Sequence, residues 1–464
     1  NRRTLFLARD RLGIKPLHYT LLDDGRLLFG SELKSLLAYD GLPREIDPCS
    51  VEDYFGFGYV PEPRTIFRNV YKLEPGYTLL VRRGDKSLKP RQYWDVDFSP
   101  NGVSDPEVAQ RELIERLREA VDIRLISEVP LGAFLSGGVD SSAVVALMAG
   151  LGNEPVNTCS ISFGDPAFDE SNYAAMVAER YKTRHQVGNV SPDDFSLLDK
   201  LAGIYDEPYA DSSAMPTYRV CELARKRVTV ALSGDGGDEN LAGYRRYRWH
   251  LYEERLRSML PLSLRRPLFG MLGQLYPKAD WAPRVFRAKS TFESLARSDV
   301  EGYFHSVSIL GDKLRADLFS AGFRSELQGY NAVEVFNRHA ASAPEEPLSK
   351  IQYLDLKTYL VGDILTKVDR ASMAHSLEVR VPILDHKVVE WIAGLPPELK
   401  LRGREGKHVF KKSLGSYLPD EILYRQKMGF AVPLAGWFRG PLRERVKESL
   451  LGPRMLDSGL GSSG

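Results

Sequence analysis

The stretch Leu131–Leu147 (LGAFLSGGVDSSAVVAL) limits the possible folds of this chain more than any other part of it. Its apolar beginning, Leu131–Leu135, is typical of a buried parallel strand, and Ala143–Met148 is typical of the first turns of a helix. Between them lies Ser136–Ser142, a turn of small residues. A glycine turn before a helix N-terminus presents free backbone N–H groups, so the stretch predicts a phosphate site in an α/β sheet.

This turn also contains an acidic residue, Asp140, and it matches neither GxxxxGK[ST] nor GxGxxG. A carboxylate would repel a phosphate unless a divalent cation joined the two groups. Asp140 therefore predicts a bound Mg²⁺. The alternative is a serine-rich helix N-cap that binds no ligand.

A second glycine turn, Ser233–Glu239 (SGDGGDE), follows the apolar run Val228–Leu232 and has the same design. The carboxyl ends of neighbouring parallel strands meet at one edge of a sheet, where ligands bind. We therefore expect Asp140 and Asp238 to lie around one Mg²⁺·pyrophosphate. The alternative is a loop whose glycines only make a bend.

The order of the predicted elements indicates an α/β fold. After the first glycine turn, strands such as Thr158–Phe163 alternate with helices such as Ser171–Tyr181, which is typical of a doubly wound parallel sheet. We expect this domain to cover 107–464, with a helical C-terminal part. Short strands and turns predict a sheet domain over 1–90, and the polar, proline-containing segment 91–106 is predicted to be a linker.

Composition excludes several classes of protein. Sixty-three Lys and Arg residues balance 62 Asp and Glu residues, so bulk charge gives no reason to expect nucleic-acid or anionic-membrane binding. The three cysteines, Cys49, Cys159 and Cys221, are too few and too scattered for a disulfide framework or a cysteine-rich zinc site. No apolar run reaches the length of a membrane span. These features predict a cytoplasmic enzyme.

The motifs resemble those of a known family. SGGVDSS resembles the pyrophosphate loop of the ATP pyrophosphatases. ARDRLGIKPLHY (8–19) and FGSELKSLL (29–37) resemble the second half of the glutaminase domain in glutamine-hydrolysing asparagine synthetases, and the likeness extends to about Arg439. The resemblance implies an N-terminal-nucleophile glutaminase domain followed by an ATP-pyrophosphatase-type synthetase domain. The segment that carries the family's nucleophilic cysteine is missing, and we interpret Cys49 as structural.

The resemblance also assigns residues to roles. It implies Mg²⁺ binding by Asp140 and Asp238, and catalytic roles for Asp235 and Lys427. Lys407 and Lys411 compete with Lys427 for the lysine role, and each of them could instead be an ordinary surface lysine. The positions matching the family's nucleotide contacts, with the main chain of Leu135 and Ile161 meeting the adenine, are Leu135, Ser136, Gly137, Gly138, Asp140, Ser141, Ser142, Ile161, Ser233 and Gly234.

A third charged cluster lies within Asp363–Asp385 (DILTKVDRASMAHSLEVRVPILD). It includes Asp369, Arg370, Glu378 and Arg380, which are many charges for a helix face in a mainly apolar region. Either these residues meet the acceptor substrate, or they form a structural ion network. The residues alone leave both interpretations open.

By resemblance, ATP activates the side chain of aspartate as β-aspartyl-AMP, pyrophosphate leaves, and ammonia, derived from glutamine in the complete protein, gives asparagine. ATP and Mg²⁺ are the implied cofactors, and a homodimer is an open expectation. One alternative keeps this chemistry with another acceptor, as in β-lactam synthetases or exopolysaccharide amidotransferases; the aromatic segment Tyr244–His305 is compatible with the latter. A second alternative is a nucleotide-binding protein without turnover.

Overall fold

The structure is a computed structural model. It describes residues 4–163, 170–190, 197–276, 289–425, 438–440 and 442–452. The predicted catalytic Lys427 lies outside these residues.

A five-stranded sheet forms the centre of the larger part of the chain, in the order β11-β10-β7-β8-β9. All of its neighbouring strands are parallel, which confirms the predicted α/β class. The strands are β1 (Thr4–Ala8), β2 (His18–Leu21), β3 (Leu27–Gly30), β4 (Tyr71–Lys72), β5 (Tyr77–Arg82), β6 (Arg91–Gln92), β7 (Leu131–Phe134), β8 (Asn157–Phe163), β9 (Arg184–Val190), β10 (Val230–Leu232), β11 (Glu378–Arg380), β12 (Leu401–Arg402) and β13 (Glu405–Gly406).

Helices surround this sheet and make up most of the chain after it. They are α1 (Leu33–Leu37), α2 (Pro48–Phe57), α3 (Pro106–Leu125), α4 (Val139–Leu151), α5 (Ser171–Arg180), α6 (Leu197–Tyr205), α7 (Ala214–Arg225), α8 (Gly237–Asn240), α9 (Arg245–Met259), α10 (Leu262–Leu275), α11 (Lys289–Leu295), α12 (Asp299–Val307), α13 (Asp312–Leu318), α14 (Ala321–Glu326), α15 (Val333–Ala340), α16 (Pro347–Lys357), a π-helix (Leu360–Leu365), α17 (Thr366–Met373), a 3₁₀ turn (Pro382–Leu384), α18 (His386–Ala393), α19 (Pro397–Lys400), α20 (His408–Ser413), α21 (Asp420–Leu423) and α22 (Arg443–Leu451). Within the described part of the chain, no helix combines the length and apolarity needed to cross a bilayer.

The helix before the first glycine turn follows its sequence signals. Asp105 caps α3 by accepting a hydrogen bond from the Glu107 amide at 2.8 Å. Its buried face includes Leu113, Leu117 and Val121, which recur at helical spacing. α3 and α4 pack in the same core cluster, so the strand that leads into the turn is held between buried elements.

Residues before α3 form two three-stranded sheets, β1-β5-β6 and β3-β2-β4. The segment 91–106, expected to be a linker, contains β6 and packs against the larger part. Val96 is buried beside α16 and α18 residues, and Asp95 accepts hydrogen bonds from Tyr353 at 2.8 Å and Lys357 at 2.9 Å. These contacts fix the position of the N-terminal sheets relative to the central sheet.

Strand β11 lies in a region that the sequence analysis assigned to helices. Its three residues, Glu378–Arg380, pair in parallel with β10 and form one edge of the sheet. The strand is short and has a charged residue at each end, but its surroundings alternate, because the buried Leu377, Val379 and Val381 are separated by Glu378 and Arg380. This alternation is typical of a strand, and pairing with β10 places it at the edge of the sheet.

A buried ion pair joins α2 to α13. Arg315 donates to Glu52 at 2.9 Å, with side-chain exposures of 2% and 4%. Removal of one partner would leave the other charge buried and uncompensated.

We expect Arg315→Ala to lower the free energy of unfolding by about 3 kcal/mol, because it strands the Glu52 carboxylate in the interior. Urea unfolding followed by circular dichroism would measure the loss. Arg324→Ala, which removes an exposed arginine from α14, is the control and should change stability by less than about 1 kcal/mol. Equal losses in the two variants would contradict a stabilising role for this pair.

Candidate active site

The two glycine turns lie side by side at the carboxyl edge of the central sheet. They follow β7 and β10, which are adjacent and parallel, with Leu232 opposite Ala133. Gly234 lies against the first turn so closely that a Cβ atom there would be 2.6 Å from the Ser141 nitrogen. Gly137 has φ +72°, a left-handed conformation that favours glycine. The paired-turn arrangement expected from the sequence is therefore present.

The carboxylates of Asp140 and Asp238 converge on one cation, the ammonium of Lys407. Lys407 Nζ lies 2.5 Å from Asp140 Oδ2 and 2.8 Å from Asp238 Oδ1. The lysine side chain is 4% exposed, so it is held inside the site and is not on the surface. The structure thus brings together the two predicted metal ligands and a lysine that the sequence left as a competitor of Lys427.

The charges of these three residues depend on one another. Burial lowers the pKa of Lys407, but Asp140 and Asp238 outweigh burial and raise the pKa above its ordinary value, so the side chain stays cationic. The two carboxylates therefore form a site for positive charge.

Mg²⁺ suits this donor set. It usually takes one or two protein carboxylates and completes its coordination with water and substrate phosphates. In the described residues, no group of three or more His, Cys, Asp or Glu side chains could hold a metal ion by itself. The carboxylates of Asp140 and Asp238, one from each glycine turn, therefore fit a magnesium ion that is bound together with the phosphates of a nucleotide.

Asp235 lies in the second turn and has a different environment. Its carboxylate accepts a hydrogen bond from the hydroxyl of Ser233. Burial raises the pKa of Asp235; Ser233 and Lys367 act in the opposite direction, and the charges of Asp140 and Asp238 raise it further. Asp235 is therefore a better proton acceptor than an ordinary aspartate.

The serines of the first turn have unequal access to a ligand. Ser136 is exposed, and its hydroxyl lies 3.0 Å from that of Ser141, which is buried and also donates to Gly138 O at 3.3 Å. Ser142 is fully buried on α4. Of the three predicted serine contacts, only Ser136 offers its side chain directly to the open side of the turn.

Of the predicted adenine positions, Leu135 directly follows β7 and Ile161 lies on the adjacent strand β8. The Leu135 amide donates to Cys159 O at 2.9 Å, and Ile161 pairs with Gly188 across β9. Both side chains are buried. Any contact with a base would therefore involve main-chain atoms, as the resemblance implies.

Arg425 is a further residue at the first turn that the sequence analysis did not identify. Its Nε donates to Gly137 O at 3.2 Å, and its Nη1 pairs with Glu170 at 2.5 Å. The guanidinium carbon also lies 4.6 Å from the ring centre of Tyr173. No local pattern marks Arg425, because it reaches the turn from a distant part of the chain.

The third cluster is a structural ion network across the boundary with the N-terminal sheets. Asp369 pairs with Lys15 at 2.8 Å, and Arg370 lies 3.5 Å from Glu32. Glu378 pairs with Arg380 of the same strand at 2.7 Å. These contacts favour the structural interpretation of the four singled-out residues.

Within the same sequence range, Asp363 and Lys367 have a different setting. Lys367 Nζ lies 2.6 Å from Asp211 and 2.8 Å from the Ser213 hydroxyl. Burial raises the pKa of Asp363 to about 7, and Lys367 partly offsets that effect. Tyr209 donates a hydrogen bond to the Asp363 carboxylate.

A cavity of about 290 Å³ opens beside Asp363. The wall includes Arg246, whose guanidinium carbon lies 3.9 Å from the ring centre of Tyr244. Tyr244 donates to Glu239 at 2.5 Å, and Glu239 follows Asp238 in the chain. The cavity is lined by Phe57, Tyr59, Arg246, Ser306, Val307, Ile309, Phe336, Asp355, Thr358, Tyr359 and Asp363.

Comparison with known protein families gives two matches. A family described as "Asparagine synthase" matches residues 112–460, and one described as "Glutamine amidotransferase domain" matches residues 1–94.

Curated relatives agree with these matches. Asparagine synthetase (glutamine-hydrolyzing) 1 of Bacillus subtilis is 32% identical over 96% of this chain and 68% of its own length. A putative asparagine synthetase (glutamine-hydrolyzing) of Mycobacterium bovis is 35% identical over 94% of this chain and 66% of its own length. A Penicillium rubens protein named amidase chyE is 27% identical over 97% of this chain and 70% of its own length. The chain thus spans about two thirds of the relatives it matches.

The buried Glu239 predicts a pH-dependent stability. Burial raises the pKa of Glu239 to about 7. Above the ordinary pKa of a glutamate, the side chain is ionised in the unfolded chain but still protonated in the folded protein. The free energy of unfolding therefore falls as the pH rises toward the pKa of the folded state. Glu239→Gln removes this penalty. Its stability relative to the parent should increase by about 2 kcal/mol between about pH 5 and about pH 8.

Urea unfolding at the two pH values would measure the difference. Glu115→Gln, on the exposed side of α3, is the control and should shift the stability equally at both. A Glu239→Gln effect that does not vary with pH would show that this carboxyl is already ionised in the folded protein near neutral pH.

Proposed function

The chain belongs to the asparagine synthase family of ATP-dependent carbon–nitrogen ligases, and we propose that it activates a carboxylate substrate as an acyl adenylate and amidates it. The observation that carries this proposal is the convergence of Asp140, Asp238 and Lys407 beside two glycine turns at the carboxyl edge of one sheet. That arrangement suits a nucleoside triphosphate that carries Mg²⁺.

In the first half-reaction, a carboxylate oxygen of the acceptor attacks the α-phosphate of ATP. A bond forms between this oxygen and the α-phosphorus, the bond from the α-phosphorus to the bridging oxygen breaks, and pyrophosphate leaves. Negative charge spreads over the phosphoryl oxygens in the transition state, and the Lys407 ammonium, held by two carboxylates, can stabilise it electrostatically. Backbone amides of 136–141 would hold the leaving pyrophosphate.

Asp140 and Asp238 would hold Mg²⁺, which when bound neutralises phosphate charge. They are the two carboxylates of the first and second turns, and both already balance a buried cation. Arg425 and the exposed Ser136 add polar groups on the other side of the first turn.

In the second half-reaction, ammonia attacks the acyl carbon, and AMP leaves with the electrons of the acyl–oxygen bond. The attacking nitrogen must lose a proton. Asp235 is placed in the second turn beside the phosphate site, and its raised pKa makes it a suitable acceptor for that proton.

We propose aspartate as the acceptor, bound in the cavity beside Asp363. A volume of about 290 Å³ is at the small end of ligand pockets, which are typically ~300–1,000 Å³. The wall carries a guanidinium, Arg246, which also pairs with Asp355 of the wall at 2.6 Å, and a carboxyl, Asp363; together these groups could bind the two charges of an amino acid. The runner-up is another carboxylate acceptor. It is favoured by the aromatic wall of Phe57, Tyr59 and Phe336.

Product identification would test the function. The purified chain is incubated with ATP, Mg²⁺, ammonium and a panel of carboxylic acids that includes aspartate, and mass spectrometry follows amide and AMP. Asparagine with equal AMP is the expected result. Amide from another acid would retain the ligase chemistry and reject the acceptor, whereas ATP binding without pyrophosphate release would reject the ligase itself.

Asp140→Asn and Asp238→Asn should each reduce pyrophosphate release at least about a hundredfold while the protein stays folded, because a neutral amide is a poor ligand for Mg²⁺. Asp23→Asn, which alters an exposed carboxylate in the turn between β2 and β3, is the control. A coupled pyrophosphate assay measures the rates, and circular dichroism checks the fold. Near-normal turnover in either turn variant would remove its carboxylate from the proposed metal site.

Three lysines compete for the adenylation step. Lys407→Gln should lower kcat at least about a hundredfold, whereas Lys411→Gln, one helical turn further on, should have a small effect because its ammonium lies near Glu405. Lys427 keeps its predicted catalytic role, and Lys427→Gln completes the series. If Lys407→Gln kept its kcat and Lys427→Gln lost it, Lys407 would be only a structural counter-ion.

The nitrogen source follows from the cysteines. Burial raises the pKa of Cys49 and Cys221, and it raises the pKa of Cys159 to about 11, so each thiol is a weaker nucleophile than a free cysteine. We expect this polypeptide to form amide with ammonium chloride and to ignore glutamine. Parallel assays with either nitrogen source would decide the matter. Amide that depends on glutamine and disappears in Cys49→Ser would reverse this conclusion.

A further inference from the structure

Two consecutive helices after the second glycine turn expose apolar stripes. On α9 the stripe consists of Trp249, Tyr252, Leu256 and Met259, and on α10 it consists of Leu264, Leu268, Met271 and Leu275. Successive residues of a helix are about 100° apart around its axis, so the residues of each stripe fall within an arc of roughly 80° on one side of the helix. Met259 and Leu275 are each 74% exposed. We call these eight residues the α9–α10 surface.

Buried arginines fix the orientation of both helices. Arg257 of α9 donates to Ser294 O at 3.1 Å and to its hydroxyl at 2.7 Å. Arg265 of α10 donates to Leu295 O at 2.5 Å and to Arg297 O at 3.0 Å. These bonds turn one face of each helix toward α11, so the stripes lie on the other face.

The segment that carries this surface has an excess of positive charge. The segment 244–276 contains seven arginines and two acidic residues. Both acids, Glu253 and Glu254, pair with the buried Arg257 at 2.9 and 2.6 Å. The arginines are Arg245, Arg246, Arg248, Arg255, Arg257, Arg265 and Arg266. The charge balance of the whole chain conceals this local excess.

The exposed charged residues of α9 and α10 are all arginines. Arg245 and Arg255 are exposed on α9, and no described carboxylate forms an ion pair with them. α10 contains no acidic residue at all. The surface thus combines exposed leucine, methionine and tryptophan side chains with positive charge.

From this combination we propose that the α9–α10 surface docks on an anionic lipid bilayer. Helices with an apolar stripe and basic flanks lie in the plane of the membrane interface, with the apolar side chains among the acyl chains and the basic groups at the lipid phosphates. Attachment of this kind is peripheral, because the two helices would lie along the surface of the bilayer. A symmetric contact between two copies would instead place the same arginines against each other, which charge repulsion disfavours.

Sedimentation with vesicles tests this proposal on the full chain. We expect binding to vesicles of phosphatidylcholine with phosphatidylglycerol, weaker binding at higher salt, and little binding to phosphatidylcholine alone. The variant Leu264→Ser/Leu268→Ser/Met271→Ser should bind at least about tenfold more weakly. Arg245→Gln/Arg255→Gln should bind more weakly and show a smaller dependence on salt.

Ile126→Ser/Leu314→Ser is the matched control, because it removes exposed apolar side chains outside the surface and should bind like the parent. The triple-serine variant should keep its ATP-dependent activity in solution, which would show that it is folded.

Three results would overturn the proposal. In the first, the parent fails to bind phosphatidylglycerol vesicles. In the second, the control variant loses as much vesicle binding as the triple-serine variant. In the third, light scattering shows that the parent is a dimer and that the triple-serine variant is a monomer. The last result would assign the surface to a second copy of the chain.

Discussion

The ion cluster of Lys407 with Asp140 and Asp238 is the interaction on which the site depends. A buried carboxylate is costly without a counter-charge, and two of them at the mouths of adjacent turns would repel each other. The lysine ammonium removes both costs. The backbone holds Lys407 in place for this role. The residue lies directly before α20 with a left-handed φ of 58°, and its amide donates a hydrogen bond to Leu241 O at 2.9 Å. The same carboxylates that stabilise the lysine are suited to a metal–phosphate ligand.

The close approach of the two turns depends on glycine at particular positions. Gly234 lies against the backbone of the first turn, and Gly237 and Gly243 lie against the carboxylates of Asp140 and Asp238. Any side chain at these positions would push the turns apart and separate the ion cluster. The Ser-Gly-acid-Gly pattern is therefore explained by packing between the turns as well as by the approach of phosphate to the backbone.

The N-terminal sheets are attached to the synthetase part by charge pairs as well as by shared apolar clusters. Besides the pairs of Lys15 and Arg370, Lys34 pairs with Asp206 at 3.0 Å and Lys72 pairs with Glu207. Asp206 is almost completely buried, whereas Lys34 is partly exposed. Partly desolvated pairs of this kind define the relative position of two surfaces, because any shift would leave a buried charge without its partner. The cavity beside Asp363 lies at this boundary, since Phe57 and Tyr59 come from the N-terminal part and Arg246 and Asp363 from the synthetase part.

Local sequence determined those helices, strands and turns whose defining residues are neighbours in the chain. Leu131–Leu151 specified a strand, a glycine turn and a helix, and Ser233–Glu239 repeated the design, so the α/β class and the meeting of Asp140 with Asp238 followed from the sequence. Tertiary structure decided what depends on distant residues. It placed Lys407 between the two carboxylates, brought Arg425 to the first turn, paired β11 with β10 at the edge of the sheet, and used Asp369 and Arg370 in a structural network. Charge and hydrogen-bond partners far apart in the chain leave no periodic pattern, because only the folded backbone determines which of them meet.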